Sequence, residues 1–153
     1  MEKIHLKKFI NASRLKVWDT MLGEKTYREW TSAFNPGSYY KGGWDEGSKI
    51  LFIGCDPANP DSATESGMVS RIAKSLKPEF VSIKHVGILV NGKEDTDSEF
   101  AKKWSPAFEN YTFTEKDGGT ELSIDMDITE EEKENMEAMW GKGLVKLKEM
   151  AEK

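Results

Sequence analysis

One cysteine, Cys55, and two histidines, His5 and His85, occur among 153 residues. A single thiol excludes an internal disulfide framework and any Cys-based metal knuckle, and two imidazoles exclude a multi-histidine metal site. Basic charge is also scarce. With 22 Lys and Arg against 27 Asp and Glu, the formal net charge is -5. No global positive field draws in a phosphate backbone, so nucleic acid is not an expected partner. Long apolar runs are missing as well. The opening MEKIHLKKFI lacks the apolar core of a signal peptide, and no stretch approaches the ~20 residues of a membrane-spanning helix. These absences point to a cytosolic, cytoplasmic protein without membrane insertion. The triplets Asn11-Ala-Ser13 and Asn110-Tyr-Thr112 fit the glycosylation pattern, which carries weight only in a secreted chain. No linker, repeat or low-complexity block divides the sequence, and a single domain over residues 1–153 is expected.

What is present is rich in periodic signals. KIHLKKFI places Ile4, Leu6 and Ile10 on one face at period 2, interrupted by Lys8, and predicts a first strand. Asn11-Ala-Ser13 supplies an N-cap signal for RLKVWDTML, where Val17, Trp18, Met21 and Leu22 share a helical stripe that Gly23 ends. EKTYREWTSAF puts Tyr27, Trp30 and Phe34 on one side of a second short helix, stopped by Asn35-Pro36-Gly37. From there to residue 128 the sequence reads as an antiparallel meander: SYYKGGW, KILFIGCD, GMVSRIAKSL, FVSIKHVGILV, AFENYTFTE and TELSIDMDI. Turns fall at Asp45-Glu46-Gly47, Asn91-Gly92 and Asp117-Gly118-Gly119. The last segment predicts a long helix. Thr129 and Glu132 fit a capping box, and Met136, Met139, Trp140, Gly143, Leu144, Leu147 and Met150 trace one face. Glu130, Glu131, Glu132 and Glu134 at its start, with Lys142, Lys146 and Lys148 later, suit the helix dipole. The order is α+β, with the final helix laid across the sheet.

Chemistry is harder to find. The stretch REWTSAFNPGSYYKGGWDEG crowds Trp30, Phe34, Tyr39, Tyr40 and Trp44 beside the hinges Pro36-Gly37 and Gly42-Gly43. Such rings serve first as core scaffold, and the adjacent Tyr39 and Tyr40 must point to opposite faces of a strand. Met68, Met126, Met136 and Met139 fall on faces expected to look inward, suiting either an adaptable pocket or a dry core. His85 shares the parity of Val81, Ile83 and Leu89, and Glu109 that of Tyr111 and Phe113. Together they could do acid-base work in an apolar cavity, or be a hydrogen-bonded strand histidine and an edge glutamate, with Gly87 able to introduce a bulge that reverses parity. Gly141 and Gly143 cost the last helix ~1 kcal/mol each relative to Ala. Gly143, on the apolar face, either leaves open volume or admits a bulky strand residue. Glu94-Asp95-Thr96-Asp97-Ser98-Glu99 lacks the glycine and terminal glutamate of a calcium loop and is expected to be a solvated loop. CDPANPDSATESG, with Asp56, Asp61 and Glu65, is expected to be another. Cys55 is expected to be a small apolar filler or a partly exposed thiol.

The element order, with INASRLKVW, YREWTSAFNPGS, GGWDEGSKILF, IKHVGILVNGKEDTDSE, FENYTF, GGTELSIDM and MWGKGLVKLKEM, resembles the START-like (SRPBCC) helix-grip superfamily. Within it, the chain is similar to the branch named for activators of the ninety-kilodalton heat-shock protein ATPase. The resemblance implies a curved antiparallel sheet of about six to seven strands gripping the long C-terminal helix, with two short helices after the first strand. It also implies an apolar cavity between sheet and helix, which would be lined by Trp44, Phe52, Met68, His85, Glu109, Tyr111, Met126, Met136, Trp140, Gly143 and Leu144. The leading expectation is a binding protein for a small hydrophobic molecule, without cofactor or metal. A chaperone-interacting regulator of the stress response is the alternative from another class, and an enzyme acting through His85 and Glu109 is the third. Neither ligand identity nor oligomeric state follows from the sequence.

Overall fold

The computed structural model describes residues 2–54, 66–103 and 105–153. Cys55, Asp56, Asp61 and Glu65 lie outside the described residues. The elements in chain order are β1 (Glu2–Ile10), α1 (Arg14–Leu22), α2 (Glu24–Thr31), β2 (Tyr39–Gly42), β3 (Lys49–Gly54), β4 (Ser66–Leu76), β5 (Phe80–Val90), β6 (Lys93–Asp95), α3 (Glu99–Lys103), β7 (Ala107–Lys116), β8 (Gly119–Ile128) and α4 (Glu130–Ala151). All strand pairs are antiparallel, in the order β1-β8-β7-β5-β4-β3-β2, with β6 added to β5. The α+β helix-grip architecture expected from the sequence is present. The sheet has eight strands because the β5–β6 hairpin extends past the meander.

Local signals explain most boundaries. Ser13 caps α1, its Oγ accepting the Lys16 amide at 3.1 Å. Gly23 closes α1 by donating to the Asp19 carbonyl at 2.9 Å and serves at once as N-cap of α2, so two helices meet at one residue. The second helix is shorter than its aromatic stripe. Thr31 and Ser32 turn their hydroxyls back onto the carbonyls of Tyr27 and Glu29, at 2.6 and 2.5 Å, and the helix ends at Thr31 before Phe34. Hydroxyls that compete for helix carbonyls in this way weaken a terminal turn. Gly42, at φ +117, lies where a Cβ would come 2.2 Å from the Lys49 carbonyl, so only glycine fits this end of β2.

Two expectations need correction. Thr129 is the N-cap of α4 but makes no side-chain cap bond; the Glu132 amide donates instead to the Thr129 carbonyl at 3.1 Å, so the capping box is not formed. Glu94 to Glu99 is not simply a solvated loop. Glu94 and Asp95 pair with Leu89 and Ile88, and Asp95 Oδ1 accepts the amides of Asp97 and Ser98 at 3.1 and 3.0 Å. Ser98 then caps α3 by accepting the Ala101 amide at 3.1 Å. Hydrogen bonds to the Ser98 hydroxyl and amide hold the Asp95 carboxyl below its ordinary pKa.

The main core fills the space between one sheet face and α1, α2 and α4. It contains Ile4, Ile10, Val17, Trp18, Met21, Trp30, Ile83, Phe113, Leu122, Ile124, Trp140 and Leu147. A smaller cluster of Ile53, Val69 and Leu89 packs on the opposite face with Tyr39, Leu51 and Val86. Tyr39 and Tyr40 divide between the two clusters, as adjacent strand residues must.

Candidate functional site

Cross-strand register assembles the candidate residues into rows on the core face. Tyr40, Phe52, Met68 and Ile88 form one row across β2, β3, β4 and β5. The next holds Ile50, Ser70, His85 and Ala107, and the third Ile72, Ile83, Glu109, Met126 and Ile4. Val81, Tyr111, Ile124 and Leu6 make the fourth. A bulge sets the position of His85. Val69 pairs with Gly87 and Ser70 with His85, leaving Val86 as the extra residue. The parity of β5 therefore reverses after His85: Ile88 takes the inner row, and Leu89, expected beside His85, belongs to the outer cluster.

Opposite these rows, α4 brings Trp140 and Leu144 into the core, with Met136 packed against it. Met139 is half-buried, and its Sδ lies 3.6 Å from Asn135 Nδ2. Gly143 does not border open volume. A Cβ there would sit 2.8 Å from Phe34 Cε1 and 3.1 Å from Trp30 Cζ3, so glycine admits two rings from the α2 side instead of the expected strand residue. Trp30 is anchored by its Nε1–H, which donates to the Met21 carbonyl at 2.9 Å.

A chain of polar contacts crosses the middle of this apolar face. Ser70 Oγ and His85 Nδ1 are 2.6 Å apart, His85 Nε2 and Glu109 Oε1 are 3.3 Å apart, and the Tyr111 hydroxyl donates to Glu109 Oε2. One assignment satisfies every member with a neutral ring: Ser70 O–H donates to Nδ1, and the ring proton resides on Nε2 and points at Glu109. Burial first, then the charge and hydrogen bond of Glu109, hold the Tyr111 hydroxyl well above its ordinary pKa, so it stays a donor. The order Ser, His, carboxylate is that of a hydrolytic triad, but Ser70 has 0% exposure. A hydroxyl without accessible surface orients the ring and cannot attack a substrate.

Rings enclose the polar chain. Tyr27 lies 5.1 Å from Tyr40, 5.5 Å from Trp30 and 6.4 Å from Phe52, while Phe52 stands 5.7 Å from Trp44 and 6.2 Å from the His85 ring. Trp140 bridges Trp30 and Tyr111, at 5.7 Å from each. The Tyr40 hydroxyl donates to the Leu22 carbonyl at 2.6 Å. Tyr27 keeps accessible surface, yet burial is the first cause raising its pKa above the ordinary tyrosine value, followed by the Glu109 charge. Trp44 also lines a surface cleft of about 430 Å³ with Trp18, Leu22 and Ser75, beside Asp19 and Lys77, which pair at 3.5 Å. Sequence reasoning missed two members of this arrangement. Ser70 shares the parity of Met68 and Ile72, so a lone hydroxyl on an inward row was the available signal. Tyr27 sat on the stripe with Trp30, but its approach to Glu109 is a tertiary contact that no local spacing encodes.

Among the described residues, no group of three or more His, Cys, Asp or Glu could hold a metal ion, and no helix is long and apolar enough to cross a membrane. No protein-family model matches the chain, and no curated protein sequence does. Solved structures are similar over nearly its whole length. Protein CV1439 from Chromobacterium violaceum superposes with a TM-score of 0.69 at 18% identity, covering 99% of this chain and 97% of that one. The Aha1 dimer from Colwellia psychrerythraea, solved in solution, gives a TM-score of 0.70 at 14% identity, with 99% and 97% covered. CalU16 from Micromonospora echinospora gives 0.65 at 15%, with 97% and 75% covered. Identities this low speak for the fold alone, and with the eight antiparallel strands, the paired α1 and α2 and the long α4 they identify this chain as having a helix-grip fold.

Proposed function

We propose that the protein binds a small apolar or amphipathic molecule between the sheet and α4. Tyr27, Phe52 and Trp44 would supply apolar contact, and Glu109, with His85 and Tyr111, would meet a polar end. The supporting observation is the state of Tyr27. Tyr27 keeps accessible surface while burial is the first cause raising its pKa, the combination expected of a ring that would border a ligand. Phe52 and Met136 also retain accessible surface while packing on the core. Aromatic walls with a few converging polar groups are the usual make-up of a small-molecule site. Organic extraction of freshly purified protein, followed by mass spectrometry, should recover a co-bound molecule, and an environment-sensitive apolar dye should bind saturably. Empty extracts together with no saturable dye binding would overturn the reading.

The likeness to the Aha1 dimer supports a second reading, a regulator that engages a chaperone through its surface. Retention of a chaperone by the immobilised protein, unchanged when Phe52 is replaced by Asp, would favour it. Catalysis through His85 and Glu109 is a third reading, for which turnover lost in His85→Ala is the sign.

A further inference from the structure

Glu109 is a carboxylate that no lysine or arginine answers among the described residues. Its side chain keeps 14% of its surface, and among the described residues its one ion-pair partner is His85, whose ring is neutral in the assignment that satisfies Ser70 and both carboxylate oxygens. An ionised carboxylate offers about four acceptor sites. His85 and Tyr111 occupy one on each oxygen, which leaves acceptor capacity for a ligand. The Tyr27 hydroxyl, close enough to feel the Glu109 charge, has no hydrogen-bond partner among the described residues. The adjoining walls are ring surfaces: Phe52 touches both Tyr27 and Trp44, at 6.4 and 5.7 Å between centroids.

Burial of a charge is costly unless another charge answers it, and ring faces attract cations that shed their water easily. An anionic head placed here would be repelled in a low-dielectric setting. A neutral donor would gain one hydrogen bond and leave the carboxylate charge unmatched. We infer that this face selects an organic cation, an ammonium group carried on an apolar body, with Glu109 as its counter-ion and Tyr27, Phe52 and Trp44 as its walls. The inference rests on the reading of the sheet–α4 space as a ligand site.

The test compares octyltrimethylammonium, octanol and octanoate, each below its micellar concentration, by calorimetry on the full chain. The expected order is cation first, by roughly tenfold over octanol, with octanoate weakest. Glu109→Gln should bring the cation to the level of octanol. A contact with a desolvated carboxylate is screened little, so the preference should also survive about 0.5 M salt. Equal binding of all three, or preference for octanoate, overturns the cation inference and leaves the pocket standing. Binding of none overturns the pocket. A cation preference that vanishes with salt, or persists in Glu109→Gln, is surface attraction to a chain of net charge -5 and overturns the inference. If Glu109→Gln does not fold, the ranking and its salt dependence in the unchanged protein decide.

Discussion

Two glycines one turn fraction apart on α4 have opposite reasons to exist. Nothing lies within 4 Å of a Cβ built at Gly141, whereas one at Gly143 would strike Phe34 and Trp30. Gly141→Ala should therefore stabilise by about 1 kcal/mol through helix propensity alone. Gly143→Leu gains a similar propensity but overpacks two rings, at a typical cost of about 1 to 3 kcal/mol. Thermal melts should place the first variant above the parent and the second below it. Adding Phe34→Ala should restore part of the loss, and a Gly143→Leu protein that melts above the parent would mean the rings do not hold that position. The tyrosines give a second prediction. Tyr27, Tyr40 and Tyr111 all have raised pKa values, with burial as the first cause. A hydroxyl whose folded pKa exceeds the unfolded value of about 10 binds its proton more tightly in the native state. Its contribution is complete below pH ~10 and is lost as pH rises through the folded values. Carbon NMR of the rings should show Tyr27 and Tyr111 still protonated at pH ~11, and the melting temperature should fall from pH ~10 upward. Titration of both rings at the free-tyrosine value would contradict their enclosure.

Helix α4 ties the elements together. It packs on β1, α1 and α2, and buries Trp140, Leu144, Leu147 and Ala151. Each large apolar side chain buried contributes roughly 1.5 to 3 kcal/mol. A chain ending at Thr129 would expose the core face of the sheet and should be unfolded or aggregated; a cooperative melt near that of the intact chain would show that α4 is dispensable. This helix was legible because its apolar period, from Met136 to Met150, runs over about four turns, and β1 and α1 were legible for the same reason on a smaller scale. Segments that owe their form to hydrogen bonds were not. β6 and α3 arise from Asp95 and Ser98 binding backbone amides, which leaves no apolar period to read. In β5 the strand was evident but its faces were not, since one extra residue at Val86 exchanges inside and outside for Ile88 and Leu89. Parity alone brought His85 and Glu109 to the inner face, whereas Ser70 and Tyr27 join them only through pairing between strands and packing of α2.

At the scale of the molecule, acidity and fold agree on what the surface will not do. A net charge of -5, with β1 lysines Lys3 and Lys7 paired to Asp127 and Glu121 at 2.6 and 3.7 Å, offers no stripe for a phosphate backbone. Fluorescence anisotropy should show no micromolar binding to DNA or RNA at ~150 mM salt. The aromatic contacts, by contrast, run through the interior without a break, from Trp44 through Tyr40, Tyr27 and Trp30 to Trp140 and Tyr111. Indole rings at 5.7 Å and 37° in Trp30 and Trp140 share their electronic excitation, and α2 and α4 each hold one of them. Chromophores fixed in this way give a near-ultraviolet circular dichroism signal that vanishes when packing loosens. The seating of α4 against α2 can thus be followed spectroscopically with no label attached.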